Sequence, residues 1–584
     1  MSGDGNDGQS ETLAATGAEL ASSPPTIAGF LADRAKDSGG GIRFEGVRYT
    51  WAEVVRASAV RAALIEQWRT EPCPNAHPPE GGFHIGVLLD NVPEYVFWLG
   101  AAALAGATVV GINPTRRGAE LARDIHHTHC RVLVTDAEHA PLLDTLDPTN
   151  DLGLASEAIL DVASASYLDL LRSQEGAAPP STAHLPGPAA LWVLIFTSGS
   201  TGAPKAVRTS QGRAATYGSL GFSADDVLYC AMPLFHGNAL TANLVPAMAS
   251  GATVVLQRRF SAQAFLADAR THGVTYFNTV GRAIAYILAT PETDHDTDHQ
   301  VKVVLAPETA ATDARAFRSR FGIPVIEGYG SSEGVIRMIP VGRGKPGALG
   351  RPDADADVVV IDPDTDTECA VAAFDGDGRL MNAGAAIGEI VRRDLGGRFE
   401  GYYNNPEADA ARTRNGWFWS GDLGFRDADG VFYFAGRDLD WLRVDGENFA
   451  AAPVERIIDR HPDVAGCAVL GVPDVATGDQ VLAVLELRAG VPFDPSGFAA
   501  FLLAQPDLGT KWSPRFIRIV RSLPVTGTNK VDKKPLRSEG WRTSDPIWWR
   551  RDTRSTVYER FTEVASDTLQ REMDRNGRAG LVAG

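Results

Sequence analysis

Short apolar runs alternate with stretches of helical periodicity through the first 350 residues, and this alternation limits the fold more than any other feature. The apolar runs predict strands over Ile85–Leu89, Thr108–Ile112, Arg131–Thr135, Thr253–Leu256, Thr275–Thr279 and Val301–Ala306. The stretches between them predict helices over Pro93–Ala105, Arg117–Thr128, Ser261–His272 and Thr312–Phe321. Strands that alternate with helices form parallel sheets covered on both faces. The sequence therefore predicts an α/β fold.

The texture of the chain changes after about residue 345, where Gly, Pro and Asp become dense and short β-like runs appear, Asp357–Ile361 and Gly388–Arg392 among them. A helix–strand–strand–helix pattern follows from residue 437 onward and predicts a compact α+β unit. A chain of 584 residues also exceeds the size of one hydrophobic core. We predict a disordered N-terminus (1–25), a large domain with a small β subdomain (26–436), a small mobile C-terminal domain (437–540) and a tail (541–584).

The charge balance excludes general nucleic-acid binding. The chain carries 55 Lys and Arg against 73 Asp and Glu, a formal net charge of −18, whereas phosphate backbones need clustered cations. Five cysteines without a C-x-x-C pair favour a reducing compartment, and residues 1–25 lack the apolar segment of a signal peptide. We therefore expect a cytoplasmic protein, with peripheral membrane contact and a homodimer left open.

The segment Ile195-Phe-Thr-Ser-Gly-Ser-Thr-Gly-Ala-Pro-Lys205 has the composition of a phosphate-binding loop. A strand-like run enters a stretch whose glycines let backbone N–H groups approach an anion, and whose hydroxyls and ammonium add further donors. It lacks the G-x-x-x-x-G-K-[ST] order of a Walker A loop. The candidate nucleotide-binding residues here are Thr197, Ser198, Gly199, Ser200, Thr201, Gly202 and Lys205.

This loop resembles the signature of the adenylate-forming superfamily of acyl-CoA synthetases, peptide-synthetase adenylation domains and firefly luciferases, although Ala206 stands where the family usually has Gly. Other segments resemble the family's motifs in the family's order. They are Asn113–Leu121, Pro233–Gly237, Gly328–Gly334, Gly416–Asp422, Phe434–Arg437 and Leu523–Lys530. The resemblance spans about residues 26–540 and implies ATP-dependent activation of a carboxylic acid to acyl-AMP, with release of pyrophosphate.

The resemblance also implies roles for single residues. Glu333 would bind Mg²⁺ with help from the hydroxyl of Ser332, which stands where the family usually has Thr. Asp422 would contact the ribose hydroxyls, Arg437 would add a cation near the ribose or phosphates, and Tyr329 would stack on adenine. The same motif adds Gly328, Gly330 and Ser331 to the nucleotide-binding set.

The resemblance names Lys530 as the catalytic lysine of adenylation, and His236 as a residue near the acyl carboxylate. A mobile ammonium that bridges the α-phosphate and the carboxylate stabilises the charge of the transition state. Asn529 stands where the family usually has Gly, and Lys533 and Lys534 lie close enough in sequence that a shifted assignment stays open.

In the family the C-terminal domain then swings and brings a thiol tunnel to the adenylate. By position, Leu439 is the hinge and Gly446 lines the tunnel. The segment Arg437–Asn448 resembles the fatty-acid-transport and very-long-chain fatty-acid:CoA ligase branch. This implies a long-chain fatty or steroid-type acid and coenzyme A as acceptor. Two alternatives remain: an acyl-AMP ligase that loads a carrier protein, and a catalytically silent homologue that binds nucleotide or lipid.

Overall fold

The computed structural model describes residues 24–70, 82–197, 205–307, 309, 311–341, 345, 348–363, 365–376, 380–437, 441–444, 447–475, 479–505, 508, 511–526, 530–552 and 555–575. The predicted N-terminal segment 1–25 lies almost wholly outside these residues. Within them the chain forms parallel sheets, an antiparallel β subdomain and a C-terminal α+β unit. The predicted fold class is confirmed.

Strands and helices alternate through residues 27–326. In chain order they are α1 (Ile27–Arg34), β1 (Gly41–Phe44), β2 (Val47–Thr50), α2 (Trp51–Thr70), β3 (His84–Leu88), α3 (Pro93–Ala105), β4 (Thr108–Gly111), α4 (Gly118–His127), β5 (Val132–Thr135), β6 (Ile159–Asp161), α5 (Ala165–Ser173), β7 (Leu191–Thr197), β8 (Lys205–Ser210), α6 (Gln211–Ala215), β9 (Val227–Cys230), α7 (Gly237–Ala239), α8 (Val245–Ser250), β10 (Thr253–Leu256), α9 (Phe265–His272), β11 (Tyr276–Asn278), α10 (Gly281–Leu288), β12 (Val303–Leu305), α11 (Ala311–Phe321) and β13 (Val325–Ile326).

These strands build two mainly parallel sheets. One has the order β13-β12-β11-β9-β10-β1-β2 and the other β6-β5-β3-β4-β7-β8. Only the edge strands β2 and β8 run antiparallel to their neighbours. Strands β3, β4 and β5 are buried at every position, as expected of strands with both faces covered.

The main core contains residues from both sheets and from the helices α2 and α3. Three of its largest side chains, Trp51, Trp98 and Trp192, are fully buried. Helix α3 begins with Pro93, whose fixed φ suits a first turn, and ends at Gly106 with φ 61°. Pro93 and Gly106 thus define the ends of this almost wholly apolar helix, and β4 begins two residues after Gly106.

An antiparallel β subdomain follows. Its elements are β14 (Tyr329–Gly330), β15 (Arg337–Ile339), β16 (Ala348–Pro352), β17 (Val358–Asp362), β18 (Thr367–Glu368), α12 (Ala383–Ala386), β19 (Gly388–Arg392), α13 (Pro406–Arg412), β20 (Thr413–Arg414), β21 (Trp417–Arg426) and β22 (Phe432–Arg437). The sheet order is β14-β15-β16-β22-β21-β19-β17-β18, with β20 on β21. It places Tyr329 and Asp422 in one sheet.

The C-terminal unit contains β23 (Trp441–Val444), β24 (Glu447–Ala450), α14 (Ala451–Ile458), β25 (Val464–Pro473), β26 (Asp479–Leu487), α15 (Pro495–Leu503), β27 (Phe516–Val520), α16 (Lys533–Glu539), β28 (Ile547–Trp549), β29 (Glu559–Arg560) and α17 (Glu563–Arg575). Strands β25 to β29 form one sheet in sequence order. Trp541, Trp549 and Met573 are buried in its core. Residues 541–575, which the sequence set apart as a tail, therefore complete this unit instead of trailing from it.

Among the described residues, the contacts between the C-terminal unit and the rest of the chain include a hydrogen bond and an ion pair. The Arg456 guanidinium donates to the Phe434 carbonyl oxygen at 2.5 Å, and Arg282 forms an ion pair with Glu486. Among the helices that the structure describes, none is both long and apolar enough to cross a membrane.

Candidate active site

The two ends of the predicted phosphate loop lie side by side. Thr197 ends β7 and Lys205 begins β8, and the two residues are paired in the antiparallel register. The Thr197 hydroxyl donates to the Lys205 carbonyl oxygen at 3.4 Å. The chain therefore leaves β7 and re-enters β8 at the same edge of the sheet. The predicted residues Ser198, Gly199, Ser200, Thr201 and Gly202 lie outside the described residues.

Lys205 faces a second cation and a carboxylate. Its ammonium lies 5.9 Å from the centre of the Tyr402 ring. Burial and the charge of Arg412 lower the pKa of Lys205, while Glu333 opposes that shift. Two cations thus meet near one carboxylate in a protein whose net charge is −18, which is the local balance that a polyphosphate requires.

Glu333 is held at its side chain and at its backbone. It is 6% exposed, and its Oε1 atom accepts a hydrogen bond from the Tyr402 hydroxyl at 2.5 Å. Its carbonyl oxygen accepts from the Arg213 guanidinium at 2.6 Å. Arg412 approaches the same Tyr402 hydroxyl at 3.4 Å. The Glu333 carboxylate is therefore fixed in direction before any ligand binds.

Arg213 is itself anchored by residues of β8 and of the β subdomain. Its guanidinium donates to the Thr209 hydroxyl at 2.7 Å and lies 3.8 Å from the Glu400 carboxylate. Glu400 also accepts from the backbone N–H of Ser210 at 2.8 Å. This network ties the strand that leaves the phosphate loop to the residue predicted to bind metal.

The predicted adenosine-binding residues lie together in the β subdomain. The Tyr329 hydroxyl donates to Asp422 Oδ2 at 2.6 Å, and Asp422 pairs with Arg437 across β21 and β22. Burial and the neighbouring carboxylate raise the pKa of Tyr329 well above its usual value, so the phenol stays protonated. The side chain of Arg437 lies outside the described part of the chain.

The turn after Tyr329 carries two further predicted nucleotide-binding residues, Ser331 and Ser332. Gly328 and Gly330 flank Tyr329, and the Gly334 N–H donates to the Ser331 carbonyl oxygen at 2.8 Å, closing the turn. The Ser331 hydroxyl is buried without a hydrogen-bond partner among the described residues, whereas Ser332 is exposed. Ser331 therefore stays a predicted nucleotide-binding residue beside Tyr329.

His236 lies on the turn after β9, at the start of α7. Asn91 fixes that turn: its side-chain amide donates to the Met232 carbonyl oxygen at 2.8 Å, and its carbonyl accepts from the Leu234 N–H at 2.8 Å. Burial and the nearby charge of Lys530 lower the pKa of His236 to about 4. The charge of Lys530 thus acts on His236, the other residue predicted near the acyl carboxylate.

The neighbouring lysines are engaged elsewhere. The Lys533 ammonium lies 2.8 Å from the Glu455 carboxylate within the C-terminal unit, and Lys534 is exposed at the first turn of α16. Of these three lysines, Lys530 is the one whose charge acts on His236. The predicted hinge Leu439 and tunnel residue Gly446 lie outside the described residues.

Sequence reasoning missed four residues that shape this site: Asn91, Arg213, Tyr402 and Arg412. Tyr402 and Arg412 belong to the segment Gly401-Tyr-Tyr-Asn-Asn-Pro406 and the helix after it. The Gly-Tyr-x-x-x-Pro spacing could have drawn attention to Tyr402, since a Pro at a helix start fixes the turn before it. The sequence contains no comparable pattern around Asn91 or Arg213.

A pH profile tests the lowered pKa of His236. Since the imidazole takes up a proton only near pH 4, it stays neutral across pH 5–8, where an unperturbed histidine would titrate near 6.5. We expect the rate of acid activation by His236→Gln to be lower than that of the wild type, with the same shape of pH dependence over this range. A wild-type inflection near pH 6.5 that disappears in His236→Gln would contradict this.

Two protein-family models match this chain. The model described as AMP-binding enzyme matches residues 39–403, more than half of the chain. The chain belongs to the AMP-binding enzymes. The model of the AMP-binding enzyme C-terminal domain matches residues 453–530 and so ends on Lys530.

Two curated relatives of this AMP-binding enzyme match it over nearly their whole length. A steroid-22-oyl-CoA synthetase of Rhodococcus jostii (strain RHA1) is 47% identical over 95% of this chain and 98% of its own. The medium/long-chain-fatty-acid–CoA ligase FadD17 of Mycobacterium marinum (strain ATCC BAA-535 / M) is 39% identical over 91% of this chain and 99% of its own.

Two solved structures share the fold at lower identity. The anthranilate CoA ligase AuaEII in complex with anthranoyl-AMP superimposes with a TM-score of 0.74 at 22% identity, over 88% of this chain and 97% of its own. ATP-bound MatB from Rhodopseudomonas palustris superimposes with a TM-score of 0.73 at 24% identity, over 88% of this chain and 98% of its own.

Proposed function

We propose that this enzyme is an acid:CoA ligase. It joins a carboxylic acid to the α-phosphate of ATP, releases pyrophosphate, and passes the acyl group of the resulting acyl-AMP to the thiol of coenzyme A, releasing AMP. The observation that carries the proposal is the similarity, over more than nine tenths of the chain, to two curated acid–CoA ligases. The charge of Lys530, from the C-terminal unit, lowers the pKa of His236 in the large unit, which supports an ammonium where the two anionic reactants would meet.

The first half-reaction needs charge neutralisation and alignment more than proton transfer. Lys205 and Arg412 would face the phosphates, since both lie around the Glu333–Tyr402 pair. Asp422 would accept from the ribose hydroxyls, and the Tyr329 hydroxyl that now donates to Asp422 keeps this carboxylate oriented toward them. Lys530 would bridge the carboxylate and the α-phosphate, with neutral His236 beside the acid.

The residues around Glu333 fit a Mg²⁺ ion. Magnesium prefers one or two carboxylates together with phosphate oxygens and water, and a carboxylate offers about four lone-pair sites, of which Tyr402 uses one. Glu333, with the hydroxyl of Ser332 nearby in sequence, would hold the ion. When bound, Mg²⁺ would supply positive charge to the phosphate oxygens, while this chain's own residues set the geometry.

The proposed second half-reaction depends on rotation of the C-terminal unit about Leu439. That rotation would withdraw Lys530 and bring the segment containing Gly446 toward the adenylate. A glycine in that position leaves room for the narrow pantetheine arm. The thiol sulfur would then attack the acyl carbon and lose its proton to solvent, the bond from the acyl carbon to the bridging oxygen would break, and AMP would leave with that oxygen, which came from the carboxylate.

The acid that we propose is one with a large apolar body. The steroid-22-oyl-CoA synthetase is the more similar of the two relatives described above, at 47% identity against 39%. We therefore expect a steroid side-chain acid as the preferred substrate and medium- or long-chain fatty acids as weaker ones.

A substrate panel tests this proposal. We expect the purified enzyme with ATP, Mg²⁺ and coenzyme A to form acyl-CoA from steroid side-chain acids with a kcat/KM at least tenfold above that for fatty acids. Benzoate and malonate serve as small-acid controls and should give little product. A preference for fatty acids would contradict the steroid-acid assignment. Acyl-AMP that accumulates and is never transferred to coenzyme A would favour a carrier protein as the acceptor.

A further inference from the structure

Residues 523–526 and 530–532 form two paired arms, which we call the Lys530 hairpin. Val525 and Val531 form an antiparallel bridge, and the Thr526 N–H donates to the Lys530 carbonyl oxygen at 2.8 Å. The Asp532 N–H donates to the Pro524 carbonyl oxygen at 2.8 Å. Because these bonds hold both arms together, the position of Lys530 follows the position of the residue that enters the hairpin, Leu523.

Leu523 is held by a hydrogen bond to Glu486, which lies near the end of β26. The backbone N–H of Leu523 donates to Glu486 Oε2 at 2.8 Å. The same oxygen lies 3.1 Å from Nη2 of Arg282, which belongs to α10 of the large unit. Nη2 also approaches the Leu523 carbonyl oxygen at 3.4 Å. One guanidinium nitrogen from the large unit thus contacts the backbone and the carboxylate that fix the start of the hairpin.

Arg282 is oriented before it meets the C-terminal unit. Its Nε atom donates to the Tyr286 hydroxyl one helical turn away at 2.7 Å, and its guanidinium lies 5.4 Å from the centre of the Tyr286 ring. The Arg282 and Glu486 side chains are 14% and 21% exposed. A partly buried, oriented ion pair is worth more than a surface pair, because little side-chain entropy is lost and solvent screens it less.

The position of Arg282 in the sheet relates this contact to the chemistry. Strands β9 and β11 are parallel neighbours, His236 follows the end of β9, and Arg282 follows the end of β11. The carboxyl ends of parallel strands meet at one edge of a sheet, where ligands bind. The ion pair therefore fixes Leu523 at the same edge at which Lys530 acts on His236.

We propose that Arg282 and Glu486 form an interdomain latch that positions Lys530 for adenylation and separates before thiol transfer. The inference rests on the proposed function, because it assigns the latch to one of its two half-reactions. A contact made in only one orientation of two domains shifts the equilibrium toward that orientation by its own interaction energy. Neither residue touches the reacting atoms; both act through the hairpin.

Two half-reactions measured separately test the latch. Adenylation is followed by acid-dependent exchange of pyrophosphate into ATP, and thiol transfer by acyl-CoA formed from supplied acyl-AMP. In Arg282→Ala we expect adenylation to fall about tenfold to thirtyfold, near the lower end of the effect of one lost hydrogen bond to a charged group, while thiol transfer stays within twofold. Arg282→Lys keeps the charge and should recover part of the lost rate.

Glu486→Gln is the second variant, since its amide oxygen can still accept from the Leu523 N–H while the charge is gone. The matched control is Asp474→Asn, which removes an ion pair of similar burial inside the C-terminal unit: Arg515 and Asp474 lie 3.3 Å apart with side chains 12% and 13% exposed. We expect this control to leave the ratio of the two half-reactions unchanged.

The outcomes separate the latch from the function on which it rests. A selective loss of adenylation in both latch variants supports the latch. Unchanged adenylation in these variants, or equal losses in both half-reactions, would overturn the latch. Neither result would contradict the proposed function, provided that the wild type is an active ligase. A wild type that exchanges no pyrophosphate with any acid would remove the proposed function, and the latch with it.

Discussion

Lys530→Ala is expected to lose adenylation and keep thiol transfer. Removing one preorganised donor that stabilises transition-state charge lowers a rate by about 100- to 1,000-fold. The effect should fall on the first half-reaction, because the charge of Lys530 reaches His236, the residue proposed to lie beside the acid, in the orientation that the structure shows. Pyrophosphate exchange measures that loss, and acyl-CoA formed from supplied acyl-AMP should stay within a factor of about three of the wild type.

Lys533→Ala is the matched control for Lys530. It removes an ammonium three residues away that is paired with Glu455 at 2.8 Å, and it should leave adenylation nearly intact. If Lys533→Ala abolished exchange and Lys530→Ala did not, the catalytic lysine would have to be reassigned to position 533. Equal losses of both half-reactions in Lys530→Ala would indicate a structural role in place of a catalytic one.

Glu333→Gln is expected to lower adenylation by about 100-fold, since its amide is a poor ligand for a hard cation that takes charged oxygens. The variant keeps the size of the side chain and an oxygen that can accept from the Tyr402 hydroxyl. We expect the loss to appear as a raised Mg²⁺ requirement, and as a smaller stabilisation of the fold by ATP when Mg²⁺ is present. Thermal unfolding with ATP, with and without Mg²⁺, gives this second readout independently of activity.

Two companion variants sharpen the Glu333 result. Tyr402→Phe removes the 2.5 Å hydrogen bond that orients the carboxylate, so its Mg²⁺ requirement should rise by a smaller factor, about threefold to tenfold, which is the size of a typical net hydrogen-bond contribution. Asp427→Asn alters another buried carboxylate, 7% exposed and paired with Lys345, and should leave the Mg²⁺ requirement unchanged. A Glu333→Gln enzyme with the wild-type Mg²⁺ requirement would contradict the assignment.

The alternation of apolar runs and helices was enough to predict the parallel sheets. Strand β3 was predicted within one residue of its observed bounds, because a run buried on both faces is apolar throughout. The C-terminal boundary was harder to predict. The strand Ile547–Trp549 and the helix Glu563–Arg575 complete the C-terminal unit, but their segments are short or strongly charged and resemble a tail in sequence.

The site was predictable where a motif carries it and unpredictable where distant segments meet. The motif after β7 pointed to Lys205, and the motif at Gly328–Gly334 pointed to Glu333. Two residues orient Glu333 from far along the chain: Tyr402 is 69 positions away and Arg213 is 120 positions away. The ion pair of Arg282 and Glu486 joins residues 204 positions apart. No local spacing encodes such contacts, because the packing of whole elements creates them.

Oxygen transfer from the acid to AMP is the measurement that tests acid activation most directly. The enzyme would be given a steroid side-chain acid with both carboxylate oxygens labelled with ¹⁸O, together with ATP, Mg²⁺ and coenzyme A. If the carboxylate attacks the α-phosphate, AMP gains one ¹⁸O atom per acyl-CoA formed, and pyrophosphate gains none. Label recovered in inorganic phosphate, with ADP as the nucleotide product, would contradict adenylation and indicate an acyl-phosphate route instead.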